Sequence, residues 1–259
     1  MKKFLFCLLC CVYWNVMQAQ EYSGITGMIH VPTAEMATEG EARAGVFFLN
    51  QEFLPSNLFY QYGHKHNTTN HFLAITPFSW LELAYVCTLY KGIDQYGEVG
   101  FNRKDRYFAV KVRPLKEGKW WPAIAIGTQD PGRTMEDSNG DYAYFQNFYI
   151  AATKHFAWKR HELGVHLAYR YYRSDFNVKW RGIAGGITYR PAFAKNLRAV
   201  VEYTGNDINI GVDYLLWRYF FLQASLQNGQ YFTGGLCFKI NLLGKKMQIE
   251  KQTNLTINR

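Results

Sequence analysis

The chain has 259 residues and a formal net charge of +9, with 48% hydrophobic and 19% charged residues. This balance excludes a disordered protein, and beyond residue 19 no apolar run reaches the ~20 residues that a membrane-spanning helix needs. Aromatic residues make up 17% of the chain, and 22 Gly stand against 7 Pro. The composition therefore predicts a β-rich protein whose strands carry many aromatic side chains.

The first 19 residues have the layout of a secretory signal peptide. Two lysines precede an uncharged apolar stretch, residues 4–13, which is too short to span a bilayer, and Ala19 is a small residue at the expected cleavage position. Lipidation at Cys10 or Cys11 is the alternative, but neither cysteine follows a small residue. We therefore expect an exported protein whose mature part starts close to residue 20.

The cysteine content and the charge narrow the possible class of protein further. Residues 20–244 contain two cysteines, Cys87 and Cys237, both in apolar strand-like surroundings, and we expect free thiols. The same residues carry a net charge of +4 without a dense basic run, while a polar tail, 245–259, carries +3. Nucleic-acid binding needs a clustered basic surface, so we expect no nucleic-acid partner.

A two-residue alternation of apolar and polar side chains, which is typical of β-strands, recurs along residues 20–244. It is clearest at 162–171, 196–203, 207–214 and 232–242. Weaker examples lie at 43–50, 70–77, 80–90, 106–113, 121–128, 145–154, 181–190 and 218–227, with a possible first strand near 24–31. Short turns alternate with longer polar connections at 91–104, 129–144 and 173–180. This pattern predicts twelve or thirteen strands.

The two faces of the predicted strands differ in a way that favours a membrane barrel. The apolar faces of the four clearest strands carry no charge, as a lipid-facing surface requires, and the opposite faces mix small and polar residues. Tyr and Trp gather at strand ends, as at a membrane–water boundary. We predict a single antiparallel transmembrane β-barrel of about 12–14 strands in the Gram-negative outer membrane, occupying residues 20–244. Its polar side chains should enclose solvent, and both an open and a plugged lumen fit the sequence. A secreted soluble β-sandwich that binds carbohydrate is the alternative.

Several segments, in order, resemble the YjbH family of outer-membrane exopolysaccharide proteins. Residues 127–134 (GTQDPGRT) resemble its G-x-x-D-x-G-G-T segment, and 151–154 (AATK) its V-A-S-K, although Arg133 replaces the second Gly. The stretch 24–40 resembles its opening, G-x-x-G followed by P-T/S-A and G. We interpret the family-motif residues as one loop, formed by Gly127, Asp130, Gly132, Thr134 and Lys154. The resemblance implies a role in capsule or exopolysaccharide production or export, and it implies no catalytic residue.

Polar residues on the predicted inward faces are the candidate site residues. These are His166, Arg170, Arg190, Arg198, Glu202, Asp213 and Lys239. Their mixed charges predict an ion-pair network that braces the barrel or lines a polar path. Ser225 and His166 share the inward faces, but neither has a nucleophile signature. We expect no catalytic residue, no cofactor and no metal, and we interpret the histidines at 64, 66 and 71 as part of a solvated loop.

The sequence therefore predicts a non-catalytic outer-membrane β-barrel that takes part in exopolysaccharide or capsule biosynthesis or export. Its expected partners are outer-membrane lipid, a polysaccharide and proteins of an export machinery. A general porin of the same architecture is the alternative function, and planar-bilayer conductance distinguishes the two.

Overall fold

The computed structural model describes residues 20–54, 66–93, 96–132, 145–172 and 175–243. The predicted signal peptide and the basic tail lie outside these residues. Both cysteines of this part of the chain, Cys87 and Cys237, are free thiols, as expected.

Twelve antiparallel strands form one closed barrel, in which each strand pairs with its neighbours in sequence and β12 pairs with β1. The strands are β1 Glu41–Leu49, β2 Thr68–Phe78, β3 Leu81–Ile93, β4 Val99–Leu115, β5 Ala123–Gln129, β6 Asn147–Trp158, β7 His161–Tyr172, β8 Gly182–Arg190, β9 Leu197–Tyr203, β10 Ile208–Leu216, β11 Phe220–Gln227 and β12 Tyr231–Asn241. Two short 3-10 helices span Gln51–Phe53 and Asp175–Trp180. Of the helices in the described ranges, none has the length and apolar character to cross a membrane. The predicted fold class is confirmed, and the alternative β-sandwich is excluded.

The apolar faces of the strands point outward. Leu167 is 57% exposed while its neighbour His166 is 2% exposed, and Ile210 and Phe238 are exposed in the same way on β10 and β12. A closed barrel with an apolar exterior of this kind is covered by lipid, because exposing that surface to water would cost the free energy that burial normally supplies. The chain is therefore an outer-membrane barrel.

Two sequence predictions about local structure are wrong. Residues 24–31 form no wall strand; they lie inside the barrel and make only isolated bridges, one of them between Gly27 and Pro32. The long polar loop predicted at 91–104 is mostly strand, because β3 and β4 continue past their other neighbours, with Gly92 opposite Gly100. Charged residues are compatible with a strand there because β2 and β5 no longer flank the hairpin.

The two ends of the barrel differ in the length of their connections. We call rim A the end formed by 79–80, 116–122, 159–160, 191–196 and 217–219, none longer than seven residues. Rim B is the end formed by 50–67, 94–98, 130–146, 173–181, 204–207 and 228–230. Outer-membrane barrels place short turns on the periplasmic side and longer loops outside. Rim A is accordingly the periplasmic end.

Candidate functional site

Residues 20–37, which we call the plug, lie inside the barrel and fill its lumen. Ile25, Met28 and Val31 are buried there, together with most polar residues of the segment. Of the open and the plugged lumen that the sequence allows, the structure has the plugged one. Gly24 has φ +82°, and a Cβ at this position would lie 2.4 Å from Phe72 Cδ2, so the path of the plug requires glycine here.

On the side of β3, the plug is bound by a buried carboxylate and a buried amine. Glu82 accepts hydrogen bonds from the backbone N–H groups of Thr26 (2.9 Å) and Ala37, and Arg43 lies 3.6 Å from the same carboxylate. Lys111 donates from Nζ to the carbonyl of Thr26 (2.7 Å) and to another plug carbonyl. These wall residues are buried, so the bonds hold two points of the plug against β3 and β4.

Glu35 is the centre of a second buried cluster near rim A. Arg198 donates to Glu35 (3.2 Å) and to Asp213 (2.8 Å), and it also donates to the backbone carbonyl of Gly27 (3.1 Å). His155 Nε2 lies 3.2 Å from Glu35. Burial alone would raise the pKa of Glu35, but the hydrogen bond from His155 and the Arg198 guanidinium hold that pKa well below its usual range. The carboxylate is thus charged and fixes the plug to the wall.

Across the lumen, Glu202 on β9 binds a part of the plug that lies near rim B. Its carboxylate accepts the three consecutive backbone N–H groups of residues 29–31 at 2.9–3.1 Å, and it also accepts the Asn209 amide at 2.8 Å. Arg170 donates to the carbonyl of His30 (3.0 Å). A carboxylate that faces three adjacent amides satisfies donors that would otherwise be buried without partners.

Aromatic rings surround the plug at the same place. The His30 ring lies 4.9 Å from the Trp180 ring, 5.0 Å from Tyr22 and 5.7 Å from Phe53, measured between centroids. Burial, reinforced by the nearby Arg170 charge, lowers the pKa of His30 well below its usual value. The imidazole is therefore neutral, and the plug is packed under the two short helices of rim B.

Glu21 is a plug residue whose pKa lies close to neutral pH. Its side chain accepts a hydrogen bond from Gln129 (3.1 Å), and Gln129 accepts one from Asn147 (3.0 Å). Burial raises the pKa of Glu21 to about 7. This carboxyl group gains or loses a proton near neutral pH while it lies inside the barrel.

The inward-facing residues singled out from the sequence all lie inside the barrel, but they do not form one site. Arg170, Arg198, Glu202 and Asp213 belong to the plug contacts described above, and Arg190 lies 3.7 Å from Glu35. The remaining two contact wall residues: His166 is bonded to Thr153 and Thr188, and Lys239 lies 3.5 Å from Glu41. The Ser225 hydroxyl donates to the carbonyl of Thr233, and His166 is bonded to threonines, so these two side chains are not paired with each other.

The family-motif residues are split between the two rims. Gly127 and Asp130 lie at the rim-B end of β5, where Asp130 has φ +54°, and Gly132 follows. Lys154 instead donates to the carbonyl of Gly118 (2.5 Å) in a rim-A turn. Thr134 lies outside the described residues. The interpretation of these residues as a single loop is therefore wrong for Gly127, which lies in β5, and for Lys154, which lies in β6.

Sequence reasoning missed the partners that the plug requires. Glu82, Lys111 and Arg43 stand as single charges on inward strand faces, and Glu35 follows the P-T-A of the family-like opening. The signal that could have identified them is the position of that opening before the first wall strand, combined with isolated inward charges of both signs.

Comparison with known proteins agrees with the sequence resemblance. The profile of the YjbH family, described as "Exopolysaccharide biosynthesis protein YbjH", matches residues 19–179, which include the plug. A curated relative, the "Uncharacterized lipoprotein YjbH" of Escherichia coli (strain K12), is 23% identical over 274 aligned positions. The alignment covers 86% of this chain but only 35% of that protein, so the chain spans about a third of the relative's length.

Two solved structures align with most of the chain at low similarity. Outer membrane phospholipase A from Escherichia coli aligns with 80% of this chain and 98% of its own, with a TM-score of 0.36 and 10% identity. The calcium-bound dimer of the Salmonella typhi outer membrane phospholipase aligns with 78% of this chain and 89% of its own, at the same TM-score and identity.

Proposed function

Because the chain belongs to the YjbH family of exopolysaccharide biosynthesis proteins, we propose that it is a non-catalytic outer-membrane barrel that serves exopolysaccharide or capsule export with its lumen closed by the plug. Its partners are a polysaccharide and proteins of the export machinery. Residues 1–19 direct its export, and the barrel with its plug forms one domain that ends near residue 244.

The observation that carries this proposal is the occupied lumen. The plug is bonded to opposite sides of the wall, through Glu82 on β3 and Glu202 on β9, and buried polar bonds are costly to break one at a time. A general porin needs a water-filled passage, and the plug occupies that space. A closed barrel fits an accessory of polymer export better than it fits a channel for small solutes.

The polar clusters inside the barrel also support a non-catalytic role. Each of the acidic and basic groups described above is bonded to the plug or to a neighbouring strand, which is the arrangement of a bracing network. Carboxylates and guanidinium groups that are already paired with one another are poorly placed to act on a substrate.

Deletion of the gene tests the role in polysaccharide production. We expect less surface exopolysaccharide in the deletion strain and restoration by the wild-type gene. Complementation by Leu167→Ile, a conservative change on the lipid-facing surface, should restore the same level. An unchanged polysaccharide level in the deletion strain would contradict the proposal.

Planar-bilayer recording of the purified protein distinguishes the accessory from the porin. We expect no steady conductance from the wild type and transient openings from Glu202→Ala, which removes the acceptor for plug residues 29–31. A large and steady conductance of the wild type would support the porin instead.

A further inference from the structure

Exposed aromatic side chains mark every turn of rim A. Trp80 lies in the β2–β3 turn, Trp120 in the β4–β5 turn and Trp158 directly before the β6–β7 turn. Phe193 and Trp217 occupy the remaining two turns and are 87% and 73% exposed. In the part of the chain that the structure describes, every exposed Trp lies at this rim. Rim A therefore presents an exposed aromatic group at each of its five turns.

The connections at rim A are also basic. They contain six basic residues and one acidic residue, whereas the described parts of the connections at rim B contain two basic and five acidic residues. The described connections at the two ends of the barrel thus have opposite net charge. The basic end is the one that faces the periplasm.

Cations and rings are placed together at rim A. Lys119 Nζ lies 5.1 Å from the centroid of Trp120, and Lys159 Nζ lies 5.7 Å from the centroid of Trp158. Both distances are within the range of cation–π interactions. Each ammonium group is held beside a ring that belongs at the membrane–water boundary, which is the depth of lipid phosphates.

Two neighbouring hairpins show that these residues are not demanded by turn geometry. The β10–β11 turn has three residues, 217–219, and Trp217 and Arg218 have φ +48° and +72°. The β11–β12 turn, on rim B, also has three residues, and Asn228 and Gly229 have φ +49° and +70°. Asn-Gly is the usual pair for this backbone, so rim A carries Trp-Arg in a conformation that disfavours both.

We propose that rim A is a binding surface for the phosphate groups of anionic phospholipids in the inner leaflet of the outer membrane. Trp rings lie at the level of the glycerol and headgroups, and the Lys and Arg beside them neutralise the phosphates. The strained Trp217-Arg218 turn is kept for this contact. The surface fixes the depth and orientation of the barrel, and it acts independently of the plug.

Two variants test this surface without touching the barrel wall. The first replaces the turn at 217–219 by the rim-B turn, as Trp217→Asn, Arg218→Gly and Tyr219→Gln, and it should fold at least as well because that backbone suits Asn-Gly. The second, Lys119→Gln with Lys159→Gln, removes two charges and keeps the rings. Heat-modifiable migration on gels confirms that each variant is folded.

Native mass spectrometry in detergent measures how much phosphatidylglycerol and phosphatidylcholine each protein retains. We expect the wild type to prefer phosphatidylglycerol, and each lost basic residue to lower its binding by about fivefold, with phosphatidylcholine binding unchanged by the charge variant. Equal phosphatidylglycerol binding by folded wild type and variants overturns the proposal. Stronger retention of lipopolysaccharide, or displacement of phosphatidylglycerol by equimolar inorganic phosphate, overturns the assignment to this lipid.

Discussion

Substitution of Glu202 by Ala should release the plug without unfolding the barrel. The Glu202 carboxylate accepts the N–H groups of residues 29–31, so its removal leaves three buried donors without their acceptor. An unsatisfied buried donor costs about 1–3 kcal/mol. Water that enters the vacated space can satisfy part of these donors, so we take the lower end of this range for each of the three. The free energy that holds this part of the plug should fall by at least about 3 kcal/mol, which raises the population of its open state roughly a hundredfold.

Hydrogen exchange followed by mass spectrometry measures this opening in detergent or nanodiscs. In Glu202→Ala, peptides that cover residues 28–33 should lose about two orders of magnitude of protection, while peptides from β6 and β7 keep theirs. Glu202→Gln retains one acceptor oxygen and should fall between the two proteins. Unchanged plug protection, or equal loss in the plug and in the strands, would refute the reasoning that this carboxylate holds the plug as a separate unit.

Three further changes probe the plug and its partners. The pKa of Glu21 is about 7 in the folded protein against 4.5 in the unfolded chain, so this residue stabilises the docked plug below pH 4.5, and the stabilisation is lost as the pH rises through 7. Hydrogen exchange of plug amides, corrected for intrinsic exchange rates, should show a loss of stability of up to about 3 kcal/mol. Glu21→Gln should abolish this pH dependence. Gly24→Ala should lower the stability of the docked plug by more than ~2 kcal/mol, because a Cβ at this position meets Phe72. In the control Gly229→Ala, the Cβ enters open space and adds only the strain of a positive φ. Equal effects in the two variants would show that the Phe72 contact is unimportant. Arg198→Ala removes the guanidinium group that the buried carboxylates of Glu35 and Asp213 share, and it should cost about 3–5 kcal/mol. The loss should appear as a lower temperature of heat-modifiable migration, and Arg198→Lys should recover part of it.

The wall of the barrel is predictable from the sequence because each strand carries its own signal. The alternation in 162–171, for example, places Leu163, Val165 and Leu167 on the lipid side, and any one-residue shift in register would expose them to the lumen. Lipid on one side and polar groups on the other therefore specify every strand locally. The twelve strands follow from this without knowledge of any partner.

The plug is not predictable in the same way because its environment is entirely non-local. Residues 24–31 alternate like a strand, yet their backbone groups are satisfied by Glu82, Lys111 and Glu202, which lie more than fifty residues away in sequence. The inward direction of Arg198 and Asp213 follows from strand alternation, but the contact of Arg198 with Glu35 of the plug does not. Only a three-dimensional arrangement shows which side chain accepts which amide.

The plug has a mechanical consequence for the barrel. In a ring of twelve strands, β3 and β9 lie six positions apart, on opposite sides of the ring. Glu82 and Glu202 bind the same short segment from these two sides, so hydrogen bonds join opposite walls across the lumen as well as neighbouring strands around the ring. An empty cylinder, joined only edge to edge, can flatten under lateral pressure from the bilayer, and the bonds through the plug resist that deformation.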